Sequence, residues 1–126
     1  MKRVLIDTSV LVEFLRVKKK KTVYGEVLSK GWRPVVSFIS PAELWAGKSA
    51  WEDKDKTKAL KKLLSAIEVV FPQASTLKLS GKLRACYQIS LLDAFIAAGA
   101  IEEKLPLLTL NLKEFKKIKG LKIFEH

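Results

Sequence analysis

One cysteine and one histidine are all that this chain of 126 residues holds of softer metal and nucleophile chemistry. Cys86 alone allows no internal disulfide and no cysteine-rich zinc site, which fits a reducing cytoplasm. Within a helix it is expected to be a small core residue. His126, at the chain end, removes histidine-based zinc sites, histidine general bases and serine–histidine triads from consideration. No Gly-x-x-x-x-Gly-Lys or Gly-x-Gly-x-x-Gly segment is present, so no phosphate-binding loop is expected. No apolar run approaches the roughly 20 residues that span a bilayer. The basic start Met1-Lys2-Arg3 leads into an apolar run broken at once by Asp7, which argues against a signal peptide. Acid is scarce too: 13 acidic residues face 24 basic ones, a net charge of +11. That excess favours phosphate-rich partners through counterion release. Most of it is lysine, a flexible point charge, so base-specific reading is not implied. The run Lys18-Lys19-Lys20-Lys21 is the densest patch and is expected in an exposed loop.

What is present is a core. Hydrophobic residues make up 48% of the chain, enough for one compact domain over residues 1–126. Lys2 to Ile6 reads as a buried strand, and Thr8 to Arg16 carries a helical stripe at Val10, Leu11, Phe14 and Leu15. A short helix around Val23 to Leu28 ends near Gly31, and Pro34 to Ile39 reads as a strand. Ser40-Pro41 is expected to start a helix on which Leu44, Trp45, Lys48 and Trp51 share a face. Leu60, Leu63, Leu64 and Ile67 form a further stripe, before a strand at Val69-Val70-Phe71. Helices follow through Leu79 to Tyr87 and, apolar nearly all round, through Leu92 to Ala100. Pro106 to Leu110 and Leu121 to Phe124 read as the last strands. Short apolar strands alternating with helices predict a parallel sheet covered on both faces, an α/β fold.

The few acids fall at helix starts. Of four aspartates, Asp53 and Asp55 lie in a charged connection, leaving Asp7 and Asp93. Asp7 stands between a strand and a helix, where an α/β sheet places its ligands. Each acid also has a capping reading. Ser40-Pro41-Ala42-Glu43, Ser90-Leu91-Leu92-Asp93 and Asn111-Leu112-Lys113-Glu114 all have the capping-box shape, and Asp7 can cap the helix after it. Against that, helices that follow parallel strands begin at one edge, which would bring Asp7, Glu43 and Asn111 together. Asp93 follows a helix, so connectivity does not place it. Its apolar neighbours call for a cation: a bound metal or a lysine. Carboxylate donors suit a hard ion, Mg²⁺ or Mn²⁺.

Four segments in order resemble the motifs of PIN-domain ribonucleases, and in spacing and length the toxins of VapBC toxin–antitoxin pairs. They are Val4-Leu5-Ile6-Asp7-Thr8-Ser9-Val10-Leu11, Ser40-Pro41-Ala42-Glu43-Leu44-Trp45-Ala46-Gly47, Leu92-Asp93-Ala94-Phe95-Ile96-Ala97-Ala98 and Leu108-Thr109-Leu110-Asn111-Leu112-Lys113-Glu114-Phe115. The resemblance implies a three-layer α/β/α sandwich around a parallel sheet. It implies Mg²⁺- or Mn²⁺-dependent endonuclease cleavage of RNA, with Asp7, Glu43 and Asp93 as the metal-binding and catalytic acids. Thr109 matches a polar residue near that site, and Asn111 or Glu114 the fourth acidic position. It further implies a homodimer and a VapB-like antitoxin lying near the acids, and Trp45 and Trp51 are the candidates for that contact. The alternative is a catalytically inactive RNA-binding or scaffold protein. A receiver-type phosphoacceptor lacks its Asp after the third strand, and a haloacid-type phosphatase would need Asp-x-Asp where this chain has Asp7-Thr8-Ser9.

Overall fold

The computed structural model describes residues 2–17 and 21–125. Lys18, Lys19, Lys20 and His126 lie outside the described residues; Lys21 is exposed. The elements run β1 (Arg3–Ile6), α1 (Thr8–Arg16), α2 (Val23–Ser29), β2 (Arg33–Ser37), α3 (Ile39–Trp45), α4 (Ser49–Glu52), α5 (Lys54–Ser65), β3 (Glu68–Val70), α6 (Ala74–Tyr87), α7 (Leu91–Glu103), β4 (Leu107–Leu108) and α8 (Leu112–Phe115). The strands form one parallel sheet in the order β3-β2-β1-β4, with Leu5 opposite both Val35 and Leu107.

Alternation along the strands divides the core into two layers. Leu5, Val35 and Leu107 face one side and pack with Leu83, Ile89, Ala94, Ala97, Ala98 and Phe115 of the α6–α8 region. Val4, Ile6, Val36 and Leu108 face the other and pack with Val10, Leu11, Tyr24, Val27 and Leu63 from α1, α2 and α5. This is the expected α/β/α sandwich. Helix α7 is buried through its middle because its small residues let it lie close on the sheet: Ala94, Ala97, Ala98 and Ala100 are each at most 1% exposed, while Leu91 and Leu92 of its first turn are exposed rather than buried. Gly31 and Gly120 end their segments at positive φ, +85° and +87°, where a side chain would be strained.

Local expectations fail at several points. The helix expected from Ser40 starts at Ile39, with Phe38 rather than Ser40 at the cap position. It stops at Trp45, and the chain resumes as α4, so Trp45 and Trp51 stand on different helices. Gly47, a poor helix former, lies at the break. Cys86 is exposed rather than buried, because α6 turns Leu83 to the core instead. Phe71 falls just past β3 and is exposed, and the last expected strand shrinks to one bridge, Leu107 to Ile123.

Leu5 sits at the centre of the central strand with no exposure. Leu5→Ala is expected to cost about 2–5 kcal/mol, read as a lower urea midpoint at unchanged slope.

Candidate active site

Parallel strands end together, so the residues after β1, β2 and β4 meet at one edge of the sheet. Ile6 pairs with Leu108, which sets Asp7 beside Thr109, and the Asp7 N–H donates to the Leu108 carbonyl at 2.9 Å. Asp7 occupies the cap position of α1 but its side chain caps nothing. It is 4% exposed, and its Oδ2 accepts two hydroxyl hydrogen bonds, from Ser9 Oγ and from Thr109 Oγ1, both 2.7 Å. Each hydroxyl is itself oriented from behind: the Leu110 N–H donates to Ser9 Oγ at 3.1 Å, and the Asn111 N–H donates to Thr109 Oγ1 at 2.9 Å. With both donors on Oδ2, Oδ1 accepts no hydrogen bond from the described residues and is left for an outside partner.

Glu43 reaches the same edge from α3. Its Oε1 accepts from the Thr8 hydroxyl at 2.7 Å, and Ser40 Oγ, fully buried, lies 2.9 Å from that same hydroxyl. Ser40 therefore braces Thr8 instead of capping α3, and the capping box expected there does not form. At Ser90 the cap is real: its Oγ accepts from the Asp93 N–H at 3.1 Å and fixes the start of α7. Asn111 is at the cap position of α8 without a side-chain cap bond, and its side chain is exposed.

The electrostatics link these acids. The Asp93 carboxyl is pushed above its ordinary value, first by burial, then by the charge of Asp7 and further by those of Glu43 and Glu114, with a Ser90 hydrogen bond opposing. Four carboxylates thus share one field. Glu114 is partly offset by Lys117 at 3.6 Å. Among the described residues, no Lys or Arg lies within 4.0 Å of Asp7, Glu43 or Asp93. Among the described residues, then, no lysine supplies the cation that the surroundings of Asp93 call for. The donors are all hard oxygens, and no basic group among the described residues pairs with Asp7, Glu43 or Asp93, which fits a divalent cation. Among the described residues no three acids close on one ion-sized point; Asp7 and Glu43 are each held by hydroxyls of their own.

Reading the sequence brought out Asp7, Glu43, Asp93 and Thr109 but not Thr8, Ser9 or Ser40. The signal was there: two hydroxyls directly follow Asp7. Trp51 is 71% exposed and its ring stands 5.2 Å from that of Trp45, with Nε1–H donating to the Trp45 carbonyl at 2.6 Å. Beside them, a groove of about 470 Å³ runs between α1, α3 and α5, lined by Leu15, Arg16, Leu44, Lys56 and Leu60, with Glu43 in its wall.

A raised carboxyl means the folded state binds that proton more tightly than the unfolded chain. The stability it confers is full below the ordinary carboxylate value and is lost as pH rises through the folded value. Without added metal, Asp93→Asn is therefore expected to raise the melting temperature at pH 7 and to flatten its decline between mildly acidic and neutral pH. Thermal unfolding in chelator across that range checks this; identical curves for both proteins would remove Asp93 from the repulsion.

The PIN domain family model matches residues 4–121 of the chain. Over 132 residues the chain is 29% identical to Ribonuclease VapC1 of Methanocaldococcus jannaschii, covering 98% of this chain and 88% of that protein. Its structure is similar to that of VapBC2 from Rickettsia felis, bound to a DNA fragment from their promoter, with 28% identity, a TM-score of 0.82 and 97% of each chain covered. It is also similar to VapBC-1 from nontypeable Haemophilus influenzae, with 25% identity, a TM-score of 0.79 and coverage of 98% of this chain and 97% of that one.

Proposed function

The chain belongs to the PIN-domain family, and from that membership we propose that it is a metal-dependent endoribonuclease, the toxin of a type II toxin–antitoxin pair. The observation that carries this reading is the cluster of Asp7, Glu43 and Asp93, whose shared charge finds no basic partner among the described residues. The +11 net charge supports RNA as substrate, drawing phosphate toward an acidic centre that would otherwise repel it. Residues 1–126 act as one catalytic domain in this reading. Its place of work is the cytoplasm; among the described residues no helix is long and apolar enough to cross a membrane.

Asp7 Oδ1 and the Asp93 carboxylate would hold a Mg²⁺ or Mn²⁺ ion, with Glu43 beside them. That ion would supply charge neutralisation and polarisation at the scissile phosphate. The chain's own residues do the rest. Ser9 and Thr109 hold Asp7 in one rotamer with one oxygen free. Thr8 holds Glu43 Oε1, leaving the other oxygen to accept a proton from an attacking water. Thr109 acts by positioning Asp7. Glu114, half-buried and adding to the field at Asp93, fits the fourth acidic position better than the exposed Asn111.

Two protein partners belong to the proposal: a second copy of the chain and a VapB-like antitoxin. The groove between α1, α3 and α5 suits an amphipathic segment, apolar toward Leu15, Leu44 and Leu60 and acidic toward Arg16 and Lys56. A segment lying there would meet Glu43 and obstruct the acids. Trp51, exposed and next in the chain to the groove-lining Ala50, is a contact for it.

Asp7→Asn and Asp93→Asn are each expected to lower RNA cleavage about a hundredfold or more while leaving the circular dichroism spectrum unchanged. EDTA is expected to stop cleavage, and Mn²⁺ to restore it. Full activity in either variant refutes the catalytic assignment, and RNA binding without cleavage under every metal condition favours a non-catalytic RNA-binding protein. Trp51→Ala is expected to weaken antitoxin binding roughly 10-fold or more with little change in melting temperature; the reverse ordering assigns Trp51 to the fold.

A further inference from the structure

A second concave surface opens at the carboxyl ends of β2 and β3. Its cavity, about 250 Å³, is lined by Ser37, Phe38, Phe71, Gln73, Phe95 and Glu102, among others. Phe38 and Phe95 meet edge to face, with centroids 5.2 Å apart, and form an aromatic wall. Phe71 stands at the rim and is 74% exposed, a large ring left in water beside an open cavity. Glu102 is exposed but held. Its Oε1 is held by the hydroxyl of Thr76, itself buried, and its other oxygen accepts nothing from the described residues. The cavity opens on the same carboxyl edge of the sheet as the acid cluster, although none of Asp7, Glu43 and Asp93 lines it. Phe38 stands two residues before Ser40, which braces Thr8 beside Glu43, and Phe95 stands two residues after Asp93.

These features specify a ligand. With Glu102 and Glu103 in its lining, the cavity disfavours phosphate and any other anion. Its aromatic rings suit a flat, uncharged ring system, because every base has a face to stack. A fixed carboxylate accepts two hydrogen bonds from neighbouring donors. Guanine presents that pair on one edge, N1–H and the N2 amino group, while adenine and cytosine place an acceptor next to their amino donor. A protein–protein interface core, by contrast, is depleted of such carboxylates.

We propose that this cavity is a base-binding pocket that selects guanine next to the scissile phosphate, with Phe71 stacking on the base and Glu102 reading its edge. The inference rests on the nuclease reading. It supplies selectivity that the lysine-rich surface does not, and it makes Glu102 a specificity residue and Phe71 a base-stacking one, neither of them catalytic.

Two measurements test it and keep its failure separate from that of the nuclease reading. In the first, wild-type protein with Mn²⁺ cleaves oligoribonucleotides that carry each of the four bases on either side of the cleaved bond. Guanine on one side is expected to be preferred. Glu102→Gln should reduce the guanine-over-adenine preference about 10-fold. Phe71→Ala should lower cleavage of all sequences roughly 10-fold. Cleavage with an unaltered base profile in both variants overturns the pocket and leaves the nuclease standing. In the second, saturation-transfer NMR in EDTA probes the uncharged nucleosides guanosine, adenosine, cytidine and uridine with wild-type protein and both variants, so no cleavage is needed. Transfer to the guanine ring that is lost in Glu102→Gln supports the pocket; equal transfer to all four bases, or none, defeats it. If Phe71→Ala converts a sedimenting dimer to monomer with base selection unchanged, the surface is a contact between copies and the proposal is wrong.

Discussion

The pairing of β1 with β4 is the constraint on which the site depends. Ile6 opposite Leu108 fixes Asp7 next to Thr109 across about a hundred residues of chain, the hydroxyl-to-carboxylate bond spanning a separation of 102. A slip by one residue would turn Leu107 and Leu108 to the wrong layers and carry Thr109 away from Asp7. The register is protected by the two cores, since Leu107 belongs to one and Leu108 to the other. Packing on both faces of the sheet thus sets a hydrogen bond at its edge. The hydroxyls of Ser9 and Thr109 convert that position into a defined rotamer, and each is oriented by a backbone N–H of the β4–α8 segment.

The cost of this arrangement is electrostatic. Asp93 is pushed up by burial and by three neighbouring acids, in a chain with nearly twice as many basic residues as acidic ones. Folding leaves those basic groups away from Asp7, Glu43 and Asp93 among the described residues. A lysine placed among them would remove the repulsion, but in the proposed nuclease it would also fill the space and charge that a divalent ion requires. Stability and function oppose each other here, and the surrounding fold carries the difference through its buried apolar layers.

The large elements were legible in the sequence because period and composition agree there. Val4-Leu5-Ile6 closed by Asp7 reads as a buried strand at a ligand-bearing edge, and the all-round apolar pattern after Ser90 reads as a buried helix; both are present. Cap chemistry was less legible. Of the three capping boxes expected, at Ser40, Ser90 and Asn111, only that at Ser90 has a side chain that accepts a bond as a cap. At Ser40 the alternative partner is Thr8, 32 residues away, which no local pattern reveals. The exposure of Cys86 and Phe71 escaped for a related reason. Residue type gives an average preference for burial, but a helix turns only one face to its neighbour, and a strand that ends one residue earlier leaves its last aromatic outside.

Helix α3 has a position that gives it a second consequence. Ile39 packs against the core layer of α7, Leu44 packs against the layer of α1 and α5, and Glu43 lies between them. The helix therefore straddles the end of the sheet and separates the groove on the α1–α5 side from the cavity that begins at Phe38. Anything that wedges into the groove pushes on Leu44, and α3 is only seven residues long, too short to bend. Displacement would pass to Glu43 and through Ser40 to Thr8, since those three side chains share one chain of hydrogen bonds. If the acids are catalytic as proposed, an occupant of the groove has two routes to silence them: it can cover Glu43 directly, or it can shift α3 and break the Thr8 contact that keeps one carboxylate oxygen turned toward the edge. The first needs a side chain that reaches Glu43; the second needs only volume against Leu44.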